Sequence, residues 1–124
     1  MNNKKILLVE DDEFLQQLYL DILSEENYLI TTSSSGDDAF TKILAGGWDL
    51  VLLDVMLPKI NGTEIMRQLK ENPAFKKDYP IVFLTNMDGS AEINKIAQLV
   101  DDCWIKSNLT PLEVVQKVQA LLTK

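Results

Sequence analysis

Short apolar runs alternate five times with longer stretches in which apolar residues recur at helical spacing. The runs predict strands over Lys5–Val9, Tyr28–Thr32, Leu50–Leu53, Ile81–Leu84 and Cys103–Ile105. Phe14, Leu15, Leu18, Tyr19, Ile22 and Leu23 form the first helical stripe, and Ala39, Phe40, Ile43 and Leu44 the second. Ile65, Met66 and Leu69 form a third, Ile93, Ile96, Ala97 and Val100 a fourth, and Leu112, Val115, Val118, Leu121 and Leu122 a fifth. The punctuation agrees with this division. Gly46-Gly47 closes the second helix, Asn72-Pro73 stops the third, and Thr110-Pro111-Leu112-Glu113 has the form of a capping box with proline at the first helical position. Alternation built on runs such as ILLV and LVLL implies a parallel sheet covered by helices on both faces, because such strands have no polar side to turn to water.

All strands of such a sheet end on one edge, and ligands bind there, at a switch in strand order. The residues that follow the runs therefore carry the interest. In ILLVEDDEF, residues 6–14, four apolar residues pass directly into four carboxylates. Two like charges ~4 Å apart repel by about 4 kcal/mol at an effective dielectric near 20, so massed acids at a buried strand's end call for a cation. Asp54 follows LVLL in the same way, Thr85 ends the fourth run, and Lys106 ends the fifth. If the first and third strands are neighbours, these ends converge on one cleft. Asp11 and Asp12 also suit the plain task of capping the first helix, whereas Glu10 precedes the cap and has no such task.

Composition narrows the chemistry. The 124 residues suffice for one domain with a single core, 46% of them hydrophobic and 25% charged. Nineteen acidic against twelve basic residues leave a net charge of −7, which argues against a nucleic-acid-binding surface. No stretch has the length of a membrane span, and MNNKK leads straight into a strand. The single cysteine, Cys103, has no internal partner, so a reducing cytoplasm is the simplest setting. Histidine is absent. That excludes Ser/His/Asp and Cys/His catalysis, histidine metal ligation and phosphohistidine on this chain.

Clustered carboxylates without histidine or thiolate suit Mg2+ or Mn2+ better than zinc. A carboxylate can also act as a nucleophile and carry an aspartyl phosphate. Phosphoryl transfer then needs a metal, a lysine and a hydroxyl donor around the equatorial oxygens. Asp54, the acid cluster, Lys106 and Thr85 make up such a set. Neither G-x-x-x-x-G-K nor G-x-G-x-x-G occurs, so the phosphoryl donor is not a nucleotide cradled by this chain.

With ILLVEDDE, LVLLDVMLPKING, IVFLT and WIK in this order and spacing, the chain resembles a response-regulator receiver domain, the phosphoacceptor module of two-component signalling. The resemblance covers essentially the whole chain. It implies a flavodoxin-like, doubly wound (βα)5 fold with strand order 2-1-3-4-5. It further implies that Asp54 is the phosphorylated residue and that Asp11, Asp54 and the main-chain carbonyl of Met56 hold Mg2+, with Glu10 helping through water. Thr85 would donate its hydroxyl to a phosphoryl oxygen, Lys106 would pair with the phosphoryl group, and Pro58 and Gly62 would shape the loop after Asp54. On this likeness, residues 1–124 form a single receiver without an output domain. Such a module catalyses only its own phosphorylation and dephosphorylation. Its partners would be a sensor histidine kinase or a histidine phosphotransfer protein, and a separate effector protein.

Three positions depart from the family's pattern: Asn86 where a small residue is usual, Cys103 where an aromatic is usual, and Ser107 where proline is usual. Cys103 has no ring to swing, and Trp104 should face the other way because adjacent strand residues alternate. The Lys106–Ser107 bond should be trans, since cis before a non-proline residue costs roughly 2.5–4 kcal/mol. Met56 and Met87 flank the site, where ordinary packing explains methionine equally well. Two rival functions fit less well. A haloacid-dehalogenase-like phosphohydrolase would carry a second aspartate where this chain has Met56. A pseudo-receiver that only binds a partner would have lost one of Asp54, Thr85 or Lys106, and all are present.

Overall fold

The computed structural model describes residues 3–86 and 90–123. In chain order they form β1 (Lys5–Val9), α1 (Glu13–Ser24), β2 (Leu29–Ser33), α2 (Gly36–Ala45), β3 (Leu50–Leu53), α3 (Gly62–Glu71), β4 (Ile81–Thr85), α4 (Ser90–Ala97), β5 (Asp102–Ile105), a 3-10 turn at Lys106–Asn108, and α5 (Pro111–Leu122). All strand pairings are parallel and the order is β2-β1-β3-β4-β5. The predicted alternation and the expected strand order are both present.

Period-two alternation divides the core between the two faces of the sheet. Ile6, Leu8, Leu50, Leu52, Val82, Leu84 and Trp104 pack against Tyr19 and Leu23 of α1 and Val114, Val115 and Val118 of α5. Leu7, Val9, Val51, Leu53, Ile81 and Phe83 pack on the opposite face against Ala39 and Ile43 of α2, Ile65, Met66 and Leu69 of α3, and Ile96 of α4. The central strands β3 and β4 are buried throughout, whereas the edge strand β2 alternates exposed and part-buried residues up to the buried Ser33.

The caps are where the residue types call for them. Asp12 accepts from the Leu15 N–H, Asn61 from the Glu64 N–H, and Thr110 with Glu113 closes a reciprocal capping box on α5. Gly46 closes α2 and Asn72 closes α3. The second strand begins one residue later than its apolar run. Asn27 turns the chain at a φ of 66°, Tyr28 is buried, and pairing with β1 starts at Leu29 and continues to Ser33. Strand pairing likewise carries β4 on to Thr85 and starts β5 at Asp102. Met87 lies outside the described residues. Among the described residues no helix is long and apolar enough to cross a membrane.

Candidate functional site

Because the sheet is parallel, Glu10, Asp54 and Lys106 each follow the last residue of a strand on the same edge, and Thr85 is the last residue of β4. With β1 beside β3, and β4 between β3 and β5, the four strand ends stand side by side. Glu10 is 2% exposed, Asp54 4% and Thr85 fully buried. Glu10, Asp11 and Asp54 each present a carboxylate oxygen within 4.8 Å of the others, with Asp11 exposed to solvent. At that separation each like-charged pair repels by about 3.5 kcal/mol at an effective dielectric near 20.

One cation opposes this repulsion from inside the site. The Lys106 ammonium donates to Asp54 Oδ2 at 2.8 Å and also to Glu10 Oε1, with its side chain nearly buried. Burial would by itself lower the ammonium's pKa, but the hydrogen bonds to Asp54 and Glu10 outweigh it and hold Lys106 above its ordinary value. Burial pushes the Glu10 carboxyl up, and the Lys106 contact offsets only part of that rise. Backbone groups fix the carboxylates further. The Met56 N–H donates to Asp54 Oδ1 at 3.2 Å and the Asp12 N–H to Glu10 Oε2 at 3.1 Å.

Thr85 Oγ1 is the buried side-chain polar atom left without a hydrogen-bond partner among the described residues. Buried hydroxyls are nearly always satisfied, and this one lies at the end of β4, between the strands that lead to Asp54 and Lys106. The loop after Asp54 is held tightly to the sheet. The Gly62 N–H donates to the Val55 carbonyl at 2.8 Å, and a Cβ on Gly62 would lie 2.5 Å from the Asp54 carbonyl oxygen. Only glycine allows α3 to start so close to the end of β3. Beside this loop, between α3 and α4, a groove of about 530 Å³ is lined by Val55 and Met56 among others.

The family model for the response regulator receiver domain matches residues 6–119. The chain belongs to this family. Receivers are signalling modules of two-component systems, and this one is 37% identical over 123 residues to the transcriptional regulatory protein ResD of Bacillus subtilis, covering 99% of this chain and 50% of that protein. It is 36% identical over 124 residues to the alkaline phosphatase synthesis transcriptional regulatory protein PhoP of the same organism, covering 98% of this chain and again 50% of the relative. The chain thus spans about half the length of the curated relatives it matches.

Among solved structures, the BeF3-activated receiver of RstA from Klebsiella pneumoniae superposes with a TM-score of 0.84 at 28% identity, over 98% of this chain and 100% of that one. TrrA from Thermotoga maritima, in complex with Mg2+ and BeF, gives 0.80 at 33% identity, over 96% and 99%. The non-phosphorylated HemR receiver from Leptospira biflexa gives 0.83 at 26%, over 98% and 95%. The flavodoxin-like fold is common to them.

The receiver's three departures have definite places. Cys103 packs, half-buried, on the face covered by α2, α3 and α4, while Trp104 is buried on the face of α1 and α5. The β4–β5 register runs without a bulge from Val82↔Asp102 to Thr85↔Ile105, so nothing re-aims the indole. Its Nε1–H donates to Asp102 Oδ2 at 2.9 Å, and the Lys117 ammonium lies 5.6 Å from the ring centre. The Lys106–Ser107 bond is trans, and the chain turns there through the 3-10 segment, with the Leu109 N–H on the Lys106 carbonyl at 3.2 Å. Lys106 still reaches the cleft. Asn86 is exposed.

One further residue touches the backbone of the acid cluster without any sign of it in the sequence. Gln16 lies on α1 and donates its side-chain amide to the Glu10 carbonyl at 2.8 Å. A polar residue in a helix's first turns carries no signal of such a contact.

Proposed function

We propose that the receiver takes a phosphoryl group from a phosphohistidine of a partner kinase or phosphotransfer protein onto Asp54, with Mg2+, and passes the signal on through protein contacts. An Asp54 carboxylate oxygen attacks phosphorus; the P–O bond forms as the P–N bond breaks, and its electron pair returns to the imidazole nitrogen. The observation that carries this reading is the constellation of a buried lysine bridging Glu10 and Asp54 with an orphaned buried hydroxyl at the adjacent strand end. Thr85 would donate to one phosphoryl oxygen and Lys106 would leave its carboxylate partners for another.

The donor set fits a hard divalent cation: three carboxylates within 4.8 Å and no nitrogen or sulfur ligand. Glu10, Asp11, Asp54 and the Met56 carbonyl would hold it, and when bound it supplies charge neutralisation at the phosphoryl oxygens. Addition of Mg2+ is therefore expected to stabilise the protein, by about 2.7 kcal/mol at a hundred times the dissociation constant. Asp11→Ala should remove most of that gain. Thermal melts across an Mg2+ series decide the point, and a melting temperature indifferent to Mg2+ in the parent would count against the metal site.

The test of the function itself is incubation with acetyl phosphate and Mg2+ followed by intact-mass measurement. The expected product carries one phosphoryl group. No mass gain would mark a pseudo-receiver, and many turnovers without a lasting adduct would mark a hydrolase.

Exposure supports a partner surface around the starts of α1 and α5. Phe14, in the first turn of α1, is 75% exposed and Leu112, at the start of α5, is 65% exposed. Both helices begin at the edge of the sheet that carries the acid cluster. Large apolar side chains left in water around a charged cleft suit a protein donor better than a small one. Phe14→Asp is expected to slow transfer from a phosphohistidine-bearing partner by about tenfold or more, as for a contact hot spot. Uptake from acetyl phosphate should stay unchanged. Equal slowing with both donors would show that the residue acts on the chemistry and not on docking.

A further inference from the structure

The turn from Ser33 to Gly36, between β2 and α2, adds no carboxylate to the acid cluster, yet it touches both loops that do. On the α1 side, Gln16 Nε2 donates to the Glu10 carbonyl at 2.8 Å, to the Ser33 carbonyl at 3.2 Å and to the Ser34 hydroxyl at 3.1 Å. The Glu10 N–H donates to that same Ser33 carbonyl at 2.9 Å. On the opposite face the Gly36 N–H donates to the Pro58 carbonyl at 3.0 Å, and a Cβ on Gly36 would lie 1.7 Å from the Ile60 carbonyl oxygen. The loop that leaves Asp54 therefore rests directly on the start of α2, a seat that exists because residue 36 has no side chain.

Gln16 reaches this position through the helix cap. Its N–H donates to the Asp12 carbonyl at 2.9 Å, so it is held by the helix's opening turn. A helical side chain lies back over the turn N-terminal to its own Cα, here the turn through Glu10, Asp11 and Asp12. Repulsion within the cluster pushes that turn away from Asp54. Lys106 opposes it at Glu10 and Asp54, but its two ion pairs leave Asp11 out. A tether on the backbone beside Asp11 has to come from elsewhere, and the Gln16 amide is placed to be that tether.

We propose that Gln16, gripping the β2–α2 turn, is a positioning residue for the divalent cation: it holds the Glu10–Asp12 backbone against carboxylate repulsion so that Asp11 is in place before the ion arrives. The proposal rests on the reading of the cluster as a Mg2+ site. Outer-shell partners that orient metal ligands typically change metal affinity by roughly 10–100-fold when lost.

Two substitutions separate positioning from plain charge. Gln16→Glu keeps the shape but turns a donor into a carboxylate facing two carbonyl oxygens. Gln16→Arg keeps N–H donors at similar reach. Charge alone would make Gln16→Glu bind Mg2+ more tightly and Gln16→Arg more weakly, whereas positioning reverses that order. Calorimetric titration with Mg2+ alone should show a loss of about tenfold or more for Gln16→Glu and a change within about threefold for Gln16→Arg. In the metal-free proteins, amide exchange at residues 11–13 should quicken in Gln16→Glu and stay near the parent's in Gln16→Arg. Affinity in Gln16→Glu equal to or tighter than the parent's overturns the proposal. Should Gln16→Glu not fold, a tenfold loss in Gln16→Arg overturns the proposal alone, and Gln16→Ala takes the place of Gln16→Glu, with a loss of about tenfold or more upholding the proposal and parent-like affinity overturning it. A parent that binds no Mg2+ overturns the metal reading as well, while a binding parent with both variants indifferent overturns only the role of Gln16.

Discussion

Asp54→Asn is expected to fold normally and to take up no phosphoryl group. Asparagine matches the shape of aspartate and keeps an oxygen to accept the Met56 N–H, which now reaches Asp54 Oδ1 at 3.2 Å. The neutral amide is not a nucleophile, so the bond to phosphorus has nothing to form it. Removing one of three crowded carboxylates relieves repulsion with Glu10 and Asp11, and Lys106, which loses its ion pair with Asp54, keeps the one with Glu10. Intact-mass measurement after acetyl phosphate and Mg2+ should show one added phosphoryl group in the parent and none in Asp54→Asn. A stoichiometric, Mg2+-dependent gain in the variant would mean that another residue is the acceptor.

Lys106→Met carries the largest expected cost in stability. It removes the ammonium that pairs with both Glu10 and Asp54, whose side chains are 2% and 6% exposed. Breaking a buried pair from one side leaves an uncompensated charge and costs roughly 3–5 kcal/mol. The metal-free variant should therefore unfold at clearly lower denaturant at pH 7. The pH dependence has a definite sign. Lys106 is held above its ordinary value of 10.5 by Asp54 and Glu10 against the opposing effect of burial. Its contribution in the parent is thus fully present below about 10.5 and is lost as pH rises through the folded value. In the variant the Glu10 carboxyl, buried and without its ammonium partner, takes up a proton more readily than in the unfolded chain. Burial already raises Glu10 in the parent, so the gap between the two proteins should narrow as pH falls through the carboxylate range. Mg2+ should narrow it as well, by replacing the missing positive charge. Denaturant titrations at pH 5 and 7, each with and without Mg2+, measure all of this. Equal midpoints for parent and variant at pH 7 without metal would show that the bridge does not stabilise the fold.

The elements and the candidate cleft were legible in the chain for a local reason. Runs such as ILLV and LVLL are apolar on both faces, which suits strands of a covered parallel sheet, and Asp12 and Thr110 end up as caps because their short side chains reach N–H groups three residues on. In a parallel sheet the residue after each strand lies on one edge, so Glu10, Asp54, Thr85 and Lys106 could be placed together before any distance was known. The order of strands that makes them neighbours came from likeness to a family. Alternation also determined that Cys103 and Trp104 face opposite layers. The start of β2 was missed by one residue, because the left-handed turn at Asn27 and the pairing with Lys5 decide it rather than the apolarity of Tyr28.

What had to await the folded chain is every contact between residues far apart in sequence. No local pattern ties Lys106 to Glu10, 96 residues away, or shows that one ammonium bridges two carboxylates. The same holds for the orphaned Thr85 hydroxyl, since being unpartnered is a property of all that surrounds an atom. Gln16 is the sharpest case. Its composition and spacing mark it as an ordinary helix residue, and only the convergence of β1, α1 and the β2–α2 turn gives its amide three acceptors. Periodicity and capping are set within a few residues by backbone geometry, whereas the electrostatics of the cleft arise where separate strand ends meet in a medium that excludes water.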